Sequence, residues 1–378
     1  MKVFVNAVSV KEGGPRVVLV KLLEAMCLER RGVAMCVAAP PSICEEVPRS
    51  VLERHPVAIG QSPFALMKWY EVDLATAARK WRADVVFSVT NYLPRRRLPI
   101  PTLLLEQHAG HFSPAFDQLT LAYTPSFFAR FAWRYKRRWV HRSVEAATVL
   151  TVQTAALADA IAAIASVQRE QIQVVPHGPG WVEKNDRPRV GREGTDLRIG
   201  YITKWGVQKN FTTLFRAVKR LSERRENVRL VLTLDPAHAS TAETLAEAEA
   251  IGISRFIENH GEVATHAIED LYGSLDIFVF PSLCESFGMP MVEAMARGLC
   301  IVAADTSTNR EIVGSAGIFF SAFDSEQLAT ILQGLSEDDA ARQSRSVLSL
   351  KRARDFSWQK AAHGTLAALD MAVASKDG

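Results

Sequence analysis

Two glutamates with seven residues between them stand out in the segment PSLCESFGMPMVEAMARG, residues 281–298. Glu285 lies in a polar stretch before Gly288, and Glu293 lies in an apolar run with helical spacing. Ionised carboxylates accept hydrogen bonds from hydroxyl groups. The pattern predicts that both carboxylates bind hydroxyls of a ligand. The structural alternative is one glutamate stabilised by a helix dipole and one solvated loop glutamate.

The same segment carries signals for a strand, a loop and a helix. The apolar run Asp276–Phe280 predicts a buried strand, and a helix is expected over Pro290–Arg297 with Gly298 just after its end. Such a helix start attracts anions, and it follows a strand end where α/β folds bind ligands. The backbone N–H groups expected to be unpaired there are those of Gly288, Met289 and Met291.

Two lysines follow another predicted strand in GYITKWGVQKNF, residues 200–211. Ammonium groups in such a loop neutralise an anionic ligand, so Lys204 and Lys209 are candidate anion-binding residues. The alternative is that both are solvated surface lysines.

The first half of the chain offers two further candidates. Gly13-Gly14 follows the first apolar run, and glycines let backbone approach a ligand closely. The segment LLLEQHAGHF, residues 103–112, places His108 and His111 after a predicted strand. We take His108 as the functional candidate, with a purely structural histidine as the competing interpretation.

Short apolar runs alternate with helical patterns along most of the chain, which predicts an α/β protein with mostly parallel sheets. A stretch rich in Gly, Pro and charge, residues 178–196, reads as a linker between two such units. The predicted strands are Val3–Val10, Ala34–Ala39, Val85–Val89, Pro101–Leu105, Thr148–Val152, Gln171–Val175, Leu197–Ile202, Val228–Leu234, Phe256–Asn259, Asp276–Phe280 and Cys300–Ala303.

Composition limits the functional classes. The 378 residues are 48% hydrophobic and 23% charged with net charge +4, typical of a globular protein of two domains. Five scattered cysteines indicate a reducing compartment, and no signal peptide or membrane span is apparent, so we expect a cytoplasmic protein. The loop KEGGPR, residues 11–16, lacks the GxGxxG pattern of a dinucleotide-dependent dehydrogenase.

Basic and aromatic residues alternate over residues 95–142, where Glu106 and Asp117 are the only acids. This combination is typical of a surface that meets an anionic membrane. The alternative is a solvated helix face with aromatics packed in the core. No motif supports nucleic-acid binding.

Taken together, these segments resemble family 4 of the retaining glycosyltransferases, whose signature is Glu-x7-Glu. FGMPMVEAMARG reads like the core of that signature, and the flanking segments fit: IQVVPHGPG, GEVATHAIEDLYGSLDIFVFPS, ADTSTNREIVGSAG and FSWQKAA. The resemblance is strong over residues 197–362 and looser over 1–150. It implies a GT-B fold: two Rossmann-like doubly wound α/β domains that face a cleft, and a C-terminal helix that crosses back. The implied domains are 1–180 for the acceptor, 197–355 for the donor, and the helix 356–378.

The resemblance also implies roles for individual residues. The catalytic set would be His108, Lys209 and Glu285. The donor-binding set would be Gly13, Gly14, Lys204, Lys209, Val263, Gly288, Met289, Pro290, Met291 and Glu293. The family's arginine is absent from the lysine loop, and Lys204 is its substitute here. No Asp-x-Asp occurs, so no metal and no other cofactor is expected.

The implied reaction moves a hexose from a UDP-, GDP- or dTDP-sugar to an acceptor hydroxyl, with retention of configuration. A glycan or lipid-linked acceptor of lipopolysaccharide or surface polysaccharide fits, with the protein peripheral at the inner face of a membrane. A sugar phosphorylase, a nucleotide-sugar epimerase or a non-catalytic nucleotide-binding protein remain alternatives.

Overall fold

The computed structural model describes residues 1–11, 13–30, 32–51, 53–59, 62–124, 126–180 and 196–375. The chain forms two compact units. The first comprises Met1–Gly180 together with Ser357–Gly378, and the second comprises Trp181–Phe356. Most of the predicted linker, residues 181–195, lies outside the described residues.

The first unit is built on a seven-stranded sheet in which every pair is parallel, in the order β3-β2-β1-β4-β5-β6-β7. The order reverses between β1 and β4. The strands are β1 (Lys2–Asn6), β2 (Ala34–Ala39), β3 (Glu53–Pro56), β4 (Val85–Ser88), β5 (Thr102–Leu105), β6 (Val149–Val152) and β7 (Ile172–Val174).

Eight helices accompany that sheet within the described residues: α1 (Gly14–Glu29), α2 (Pro41–Glu46), α3 (Pro63–Lys68), α4 (Leu74–Lys80), α5 (Pro114–Tyr123), α6 (Phe127–Ala146), α7 (Ala155–Ile164) and the C-terminal α15 (Trp358–Ala374). A π-helical turn, Trp69–Asp73, joins α3 to α4.

The second unit has a six-stranded parallel sheet in the order β10-β9-β8-β11-β12-β13. Its strands are β8 (Leu197–Tyr201), β9 (Val228–Leu232), β10 (Ile257–Asn259), β11 (Ile277–Phe280), β12 (Cys300–Ala304) and β13 (Gly317–Phe320). Its helices are α8 (Phe211–Arg224), α9 (Ala239–Ala250), α10 (Thr265–Gly273), α11 (Met289–Ala296), α12 (Ser307–Val313), α13 (Ser325–Glu337) and α14 (Asp339–Ala353).

The predicted α/β fold class is confirmed. Every residue of β4, β5, β6, β11 and β12 is buried, as expected for parallel strands covered on both faces. Sequence reasoning missed β3 and β13, each of which lies at one edge of its sheet. β3 reads ERHP and is largely exposed, so it lacks the apolar pattern of a buried strand.

The C-terminal helix α15 packs on α1 within the first unit, and an ion pair of 2.6 Å joins Arg30 to Asp370. At its start, the Trp358 indole N–H donates to the Pro179 carbonyl at 2.6 Å. Phe356, predicted as the first residue of this last segment, instead packs in the core of the second unit. The segment that joins the first unit therefore begins one residue later than predicted.

Candidate functional site

The loops after β8 and β11 lie next to each other because these strands are neighbours in the second sheet. The strand order reverses here: β9 and β10 lie on one side of β8, and β12 and β13 lie beyond β11. Open α/β sheets bind ligands outside the carboxyl ends of their strands at such a reversal. One of these loops carries Lys209 and the other carries Glu285, so the topology brings two predicted site residues to one place.

Lys209 and Glu285 form an ion pair at that point. The lysine Nζ lies 2.6 Å from the Glu285 Oε1, and their side chains are only 12% and 15% exposed. The Ser282 hydroxyl donates to the same oxygen at 2.5 Å. The Lys209 ammonium also lies 5.7 Å from the ring centre of Phe280, the last residue of β11. The pair is thus a nearly buried, hydrogen-bonded charge cluster.

Backbone contacts hold the two loops together. The Leu283 N–H donates to the Gln208 carbonyl at 2.9 Å. The Tyr201 hydroxyl donates to the Lys209 carbonyl at 3.2 Å, and burial, then the charge of Glu285, raises the pKa of Tyr201 well above its ordinary value. Tyr201 therefore stays a neutral donor.

Asn210 fixes the lysine loop from a left-handed backbone conformation, with φ of 54°. Its side-chain amide donates to the carbonyls of Pro281, at 3.3 Å, and Ala322, at 2.6 Å. Asparagine is one of the few side chains that tolerate this conformation. The residue after Lys209 thus ties the lysine loop to the glutamate loop.

Helix α11 begins directly after this cluster, but not quite as predicted. It spans Met289–Ala296, with Gly288 as its N-cap at φ of 81°. Pro290 is therefore the second helical residue and not the first. The Met291 N–H is not unpaired, because it donates to the Gly288 carbonyl at 2.9 Å. A side chain at position 288 would be strained by this left-handed backbone, and its Cβ atom, 2.5 Å from the Met291 Cε, would displace the methionine side chain.

Glu293 lies on the second turn of α11 and is oriented by a buried tyrosine. The Tyr272 hydroxyl donates to Glu293 Oε2 at 2.9 Å. Burial, followed by the charge of Glu293, raises the pKa of Tyr272 well above its ordinary value. Tyr272 remains protonated and can hold one carboxylate oxygen of Glu293.

The remaining predicted residues of the second unit lie apart from the ion pair. Lys204 is 59% exposed and contacts Glu262, with 3.4 Å between its Nζ and the Glu262 Oε1. Val263 follows Glu262 and packs, half-buried, against the core of the unit. The structure therefore groups Lys204 with Glu262, and Lys209 with Glu285.

In the first unit, the predicted glycines open helix α1. Gly13 is its N-cap with φ of 69°, and Gly14 is its first residue. A Cβ atom added at either glycine meets nothing within 4 Å. Space around the backbone thus remains at this helix start.

His108 lies directly before a short 3-10 turn, Ala109–Phe112, in the loop after β5. Its ring centre is 4.5 Å from that of His111 and 5.5 Å from that of Phe116. His111 is buried and stacked on Trp133, and burial lowers its pKa to about 2. His111 is therefore a neutral structural histidine, and His108 remains the functional candidate of this loop.

The segment of basic and aromatic residues, 95–142, has a buried and an exposed part. Trp139 packs in the core of the first unit. By contrast, Phe127, Phe128 and Phe131 on α6 are 76%, 82% and 64% exposed. Helix α6 carries six Lys or Arg residues and a single acid, Glu145. Within the described residues, no helix is long and apolar enough to cross a bilayer.

Sequence reasoning missed the residues that support these groups, which include Ser282, Tyr272, Asn210 and Glu106, whose Oε1 accepts from the His108 N–H at 2.9 Å. Glu106 is fully buried at the carboxyl end of β5. Serine, tyrosine and asparagine are common everywhere in proteins, so only the fold identifies those that contact a charged side chain. Glu106 directly follows an apolar strand, but so does the exposed Asp305 after β12, so only the fold shows that Glu106 is buried.

The two doubly wound parallel sheets define the GT-B fold. Anabaena HepE, solved in complex with UDP and glucose, superposes with a TM-score of 0.72 at 17% identity, over 98% of this chain and 99% of HepE. This likeness extends over both units and concerns the fold alone. Residues 182–349, nearly all of the second unit, match the family model of glycosyl transferases group 1.

Two relatives have higher sequence identity over shorter ranges. The MMP alpha-(1->4)-mannosyltransferase of Mycolicibacterium hassiacum is 34% identical over 234 residues, 60% of this chain and 54% of that protein. The O-antigen chain mannosyltransferase B of Escherichia coli is 35% identical over 107 residues, 28% of each chain. The chain thus matches about half, or less, of these curated relatives.

Proposed function

We propose that this protein is a retaining glycosyltransferase that moves a hexose from a nucleotide-diphosphate-sugar to an acceptor hydroxyl. The observation that carries the proposal is the Lys209–Glu285 pair at the strand-order reversal of the second sheet, directly before the start of α11. The match of residues 182–349 to glycosyl transferases group 1 supports it.

In this proposal the second unit binds the donor. The diphosphate contacts the first N–H groups of α11 and the ammonium of Lys209, because both favour negative charge. Glu293, held by Tyr272 at 2.9 Å, accepts hydrogen bonds from the ribose hydroxyls. Glu285 accepts hydrogen bonds from the transferred sugar. The diphosphate is lined by Gly288, Met289, Pro290 and Met291. Val263 and Lys204 follow β10 and β8, at the same carboxyl end of the sheet.

The chemistry requires stabilisation of the negative charge that develops on the departing diphosphate. Positioned cations and helix-start N–H groups provide it, and Lys209 is held in place before the donor arrives by its 2.6 Å contact with Glu285. Lys209 would therefore bridge the Glu285 carboxylate and a phosphate oxygen. These groups carry the role that a metal has in other transferases, so we propose a metal-independent reaction.

Retention follows if the acceptor attacks on the face that the diphosphate leaves, with the phosphate taking the acceptor proton. Glu285 is engaged by both Lys209 and Ser282, so it suits a hydroxyl anchor better than a nucleophile. We propose that His108, the functional histidine of the first unit, assists at the transferred sugar. Gly13 and Gly14 allow a ligand to approach the start of α1.

The donor and acceptor are proposed from the relatives and from α6. The mannosyltransferase relatives support a mannosyl donor, and HepE was solved with UDP and glucose, so UDP-, GDP- and dTDP-hexoses are the donors to test. Exposed phenylalanines and arginines on α6 support a lipid-linked acceptor at an anionic, inner-leaflet membrane surface.

The test is a donor screen with the purified full chain, with or without membrane-extracted glycolipid acceptors and in excess EDTA. Nucleoside diphosphate release and the anomeric NMR signal of the product are the readouts. We expect release that depends on acceptor, a retained anomeric configuration, and loss of both in Lys209→Ala. Lys219→Ala is the matched control, since Lys219 is an exposed lysine that pairs with Glu223 on α8.

Other results would identify the alternatives. Release that needs inorganic phosphate indicates a phosphorylase, and conversion of the donor without acceptor into an epimer indicates an epimerase. Donor binding without turnover under every condition contradicts transferase activity.

A further inference from the structure

Glu106 is a carboxyl group buried beneath the His108 loop. It directly follows β5 and is fully buried. Its Oε1 accepts a hydrogen bond of 2.9 Å from the backbone N–H of His108, two residues further on. Its other oxygen, Oε2, has no hydrogen-bond partner within the described residues. A buried carboxyl group with one unsatisfied oxygen is costly, so its presence at this position needs a reason.

The backbone on either side of Glu106 is fixed to neighbouring loops. The Glu106 carbonyl accepts from the Gln153 side-chain amide at 2.9 Å, after β6. The Gln107 N–H donates to Asn91 Oδ1 at 2.8 Å, and the Gln107 amide donates to the Val89 carbonyl at 3.0 Å, after β4. Asn91 itself has a left-handed φ of 62°. Hydrogen bonds of Glu106 and Gln107 thus connect the ends of β4, β5 and β6.

The His108 ring is confined by residues of the 3-10 turn and of α5. Gly110 passes so close that an added Cβ would lie 2.8 Å from His108 Cε1 and 2.5 Å from Phe116 Cδ1. The His111 ring lies 4.5 Å away, centre to centre. The backbone of His108 is therefore set by Glu106, and its ring is set by Gly110, Phe116 and His111.

We infer that Glu106 is a positioning residue for His108, and that it acts as a neutral hydrogen-bond acceptor and not as a charge. The inference rests on the role of His108 in the proposed function. The geometry of the His108 loop then depends on the Glu106 side chain, but not on a negative charge there.

The surroundings of Glu106 support the neutral form. Burial raises the pKa of Glu106 well above its usual value, with only the N–H groups of His108 and Gln107 acting against it. Tyr92 is the acidic group that interacts with it, and burial together with the charges of Tyr70 and Glu106 raises the pKa of Tyr92 too. Among the described residues, no cationic side chain lowers the pKa of Glu106, and an ionised carboxylate without such a partner is expensive to bury.

Glutamine is therefore the matched replacement. Glu106→Gln keeps an oxygen that accepts from the His108 N–H and has the shape of the neutral acid. Glu106→Asp keeps the acid but shortens its reach, and Glu106→Ala removes the acceptor. Glu170→Gln, at an exposed position on the same unit, is the control.

The experiment compares turnover and the His108 ring NMR signal, assigned with His108→Gln, in these variants. We expect Glu106→Gln to retain wild-type kcat and the wild-type His108 signal. We expect Glu106→Asp and Glu106→Ala to shift that signal and to lower kcat by roughly 10²-fold, with little change in KM. If Glu106→Ala does not fold, Glu106→Asp carries the same comparison.

An unshifted His108 signal in Glu106→Asp, or a Glu106→Gln variant as impaired as Glu106→Asp, overturns the inference. The NMR readout needs no substrate, so it separates this inference from the proposed function. If the signal shifts as expected in a protein that transfers no sugar, the proposed function is wrong and the positioning of His108 by Glu106 stands.

Discussion

Lys209 and Glu285 lie 76 positions apart in sequence and 2.6 Å apart in the second unit. Each is nearly buried, and each has the other as its oppositely charged partner. A donor diphosphate brings negative charge to this pair, so the energetics of the pair and the binding of the donor should be linked.

The first prediction concerns coupling within the ion pair. Removing either charge leaves the other poorly solvated. The losses of unfolding free energy in Lys209→Ala and Glu285→Ala should therefore add up to more than the loss in the double variant. We expect a coupling free energy of about 0.5–3 kcal/mol from urea unfolding of the four proteins. The exposed pair Lys219–Glu223 on α8 is the control, at about 0.2–0.5 kcal/mol. Strict additivity at Lys209 and Glu285 would contradict the contact.

The second prediction concerns the hydroxyl that holds Glu293. Tyr272→Phe removes a 2.9 Å hydrogen bond to the carboxylate and leaves the ring in place. Loss of one such bond costs about 0.5–1.5 kcal/mol, so the affinity for nucleoside diphosphates should fall by roughly twofold to tenfold. Calorimetry measures it, and Glu293→Gln should weaken binding by at least as much. An unchanged affinity in both variants means that Glu293 does not contact the nucleotide.

The third prediction concerns the exposed face of α6. We expect the protein to sediment with anionic vesicles, more strongly than with neutral ones and less at high salt. Changing Phe127, Phe128 and Phe131 together to Ser should weaken vesicle binding by about tenfold or more, because burial of one such ring contributes about 1.5–3 kcal/mol. Phe323→Ser is the control, since Phe323 is equally exposed on the second unit. Equal loss in both proteins, or no vesicle binding, contradicts a membrane surface on α6.

The fourth prediction concerns pH and stability. His177 is buried and stacked on Trp358, and burial lowers its pKa from 6.5 to about 3. Below pH 6.5 His177 is protonated in the unfolded chain but stays neutral in the native chain. The free energy of unfolding therefore decreases as the pH falls toward 3. One such group contributes about 1.4 kcal/mol per pH unit in that window.

His177→Phe keeps the aromatic stack and removes the titrating group. Urea unfolding of both proteins between pH 8 and pH 4 measures the difference, in which the other titrating groups cancel. The variant should lose less stability than the wild type as the pH falls below 6.5, and the two should run parallel above pH 7. Parallel curves over the whole range would mean that His177 takes up a proton in the native chain as readily as in the unfolded chain.

The sequence predicted the buried strands and the grouping of the site loops because these follow from apolar runs and from the ends of parallel strands. Asp276–Phe280 and Cys300–Ala303 correspond to β11 and β12, which are fully buried. Strand β3 was missed because its residues, ERHP, are polar and largely exposed. Strand β13 was missed although its residues, GIFF, are apolar. The prediction that the Met291 N–H is unpaired was wrong because the first turn of α11 is tight, and this N–H donates to the Gly288 carbonyl three residues earlier.

The candidate site was predictable at its charged residues and not at their supports. Glu285 and Lys209 stand out as charges beside predicted strands, whereas Ser282 and Tyr272 gain their meaning only from contacts made by the fold. Lys204 illustrates the limit of reading loops by composition. It has the same charge as Lys209, but it is exposed and contacts Glu262.

The most direct test of the central claim is calorimetry of the full chain with UDP, GDP and dTDP in EDTA. We expect that at least one nucleoside diphosphate binds without metal, that Lys209→Ala weakens this binding markedly, and that Lys219→Ala leaves it unchanged. Binding of no diphosphate, or equal binding by wild type and Lys209→Ala, would contradict a diphosphate site at Lys209 and α11.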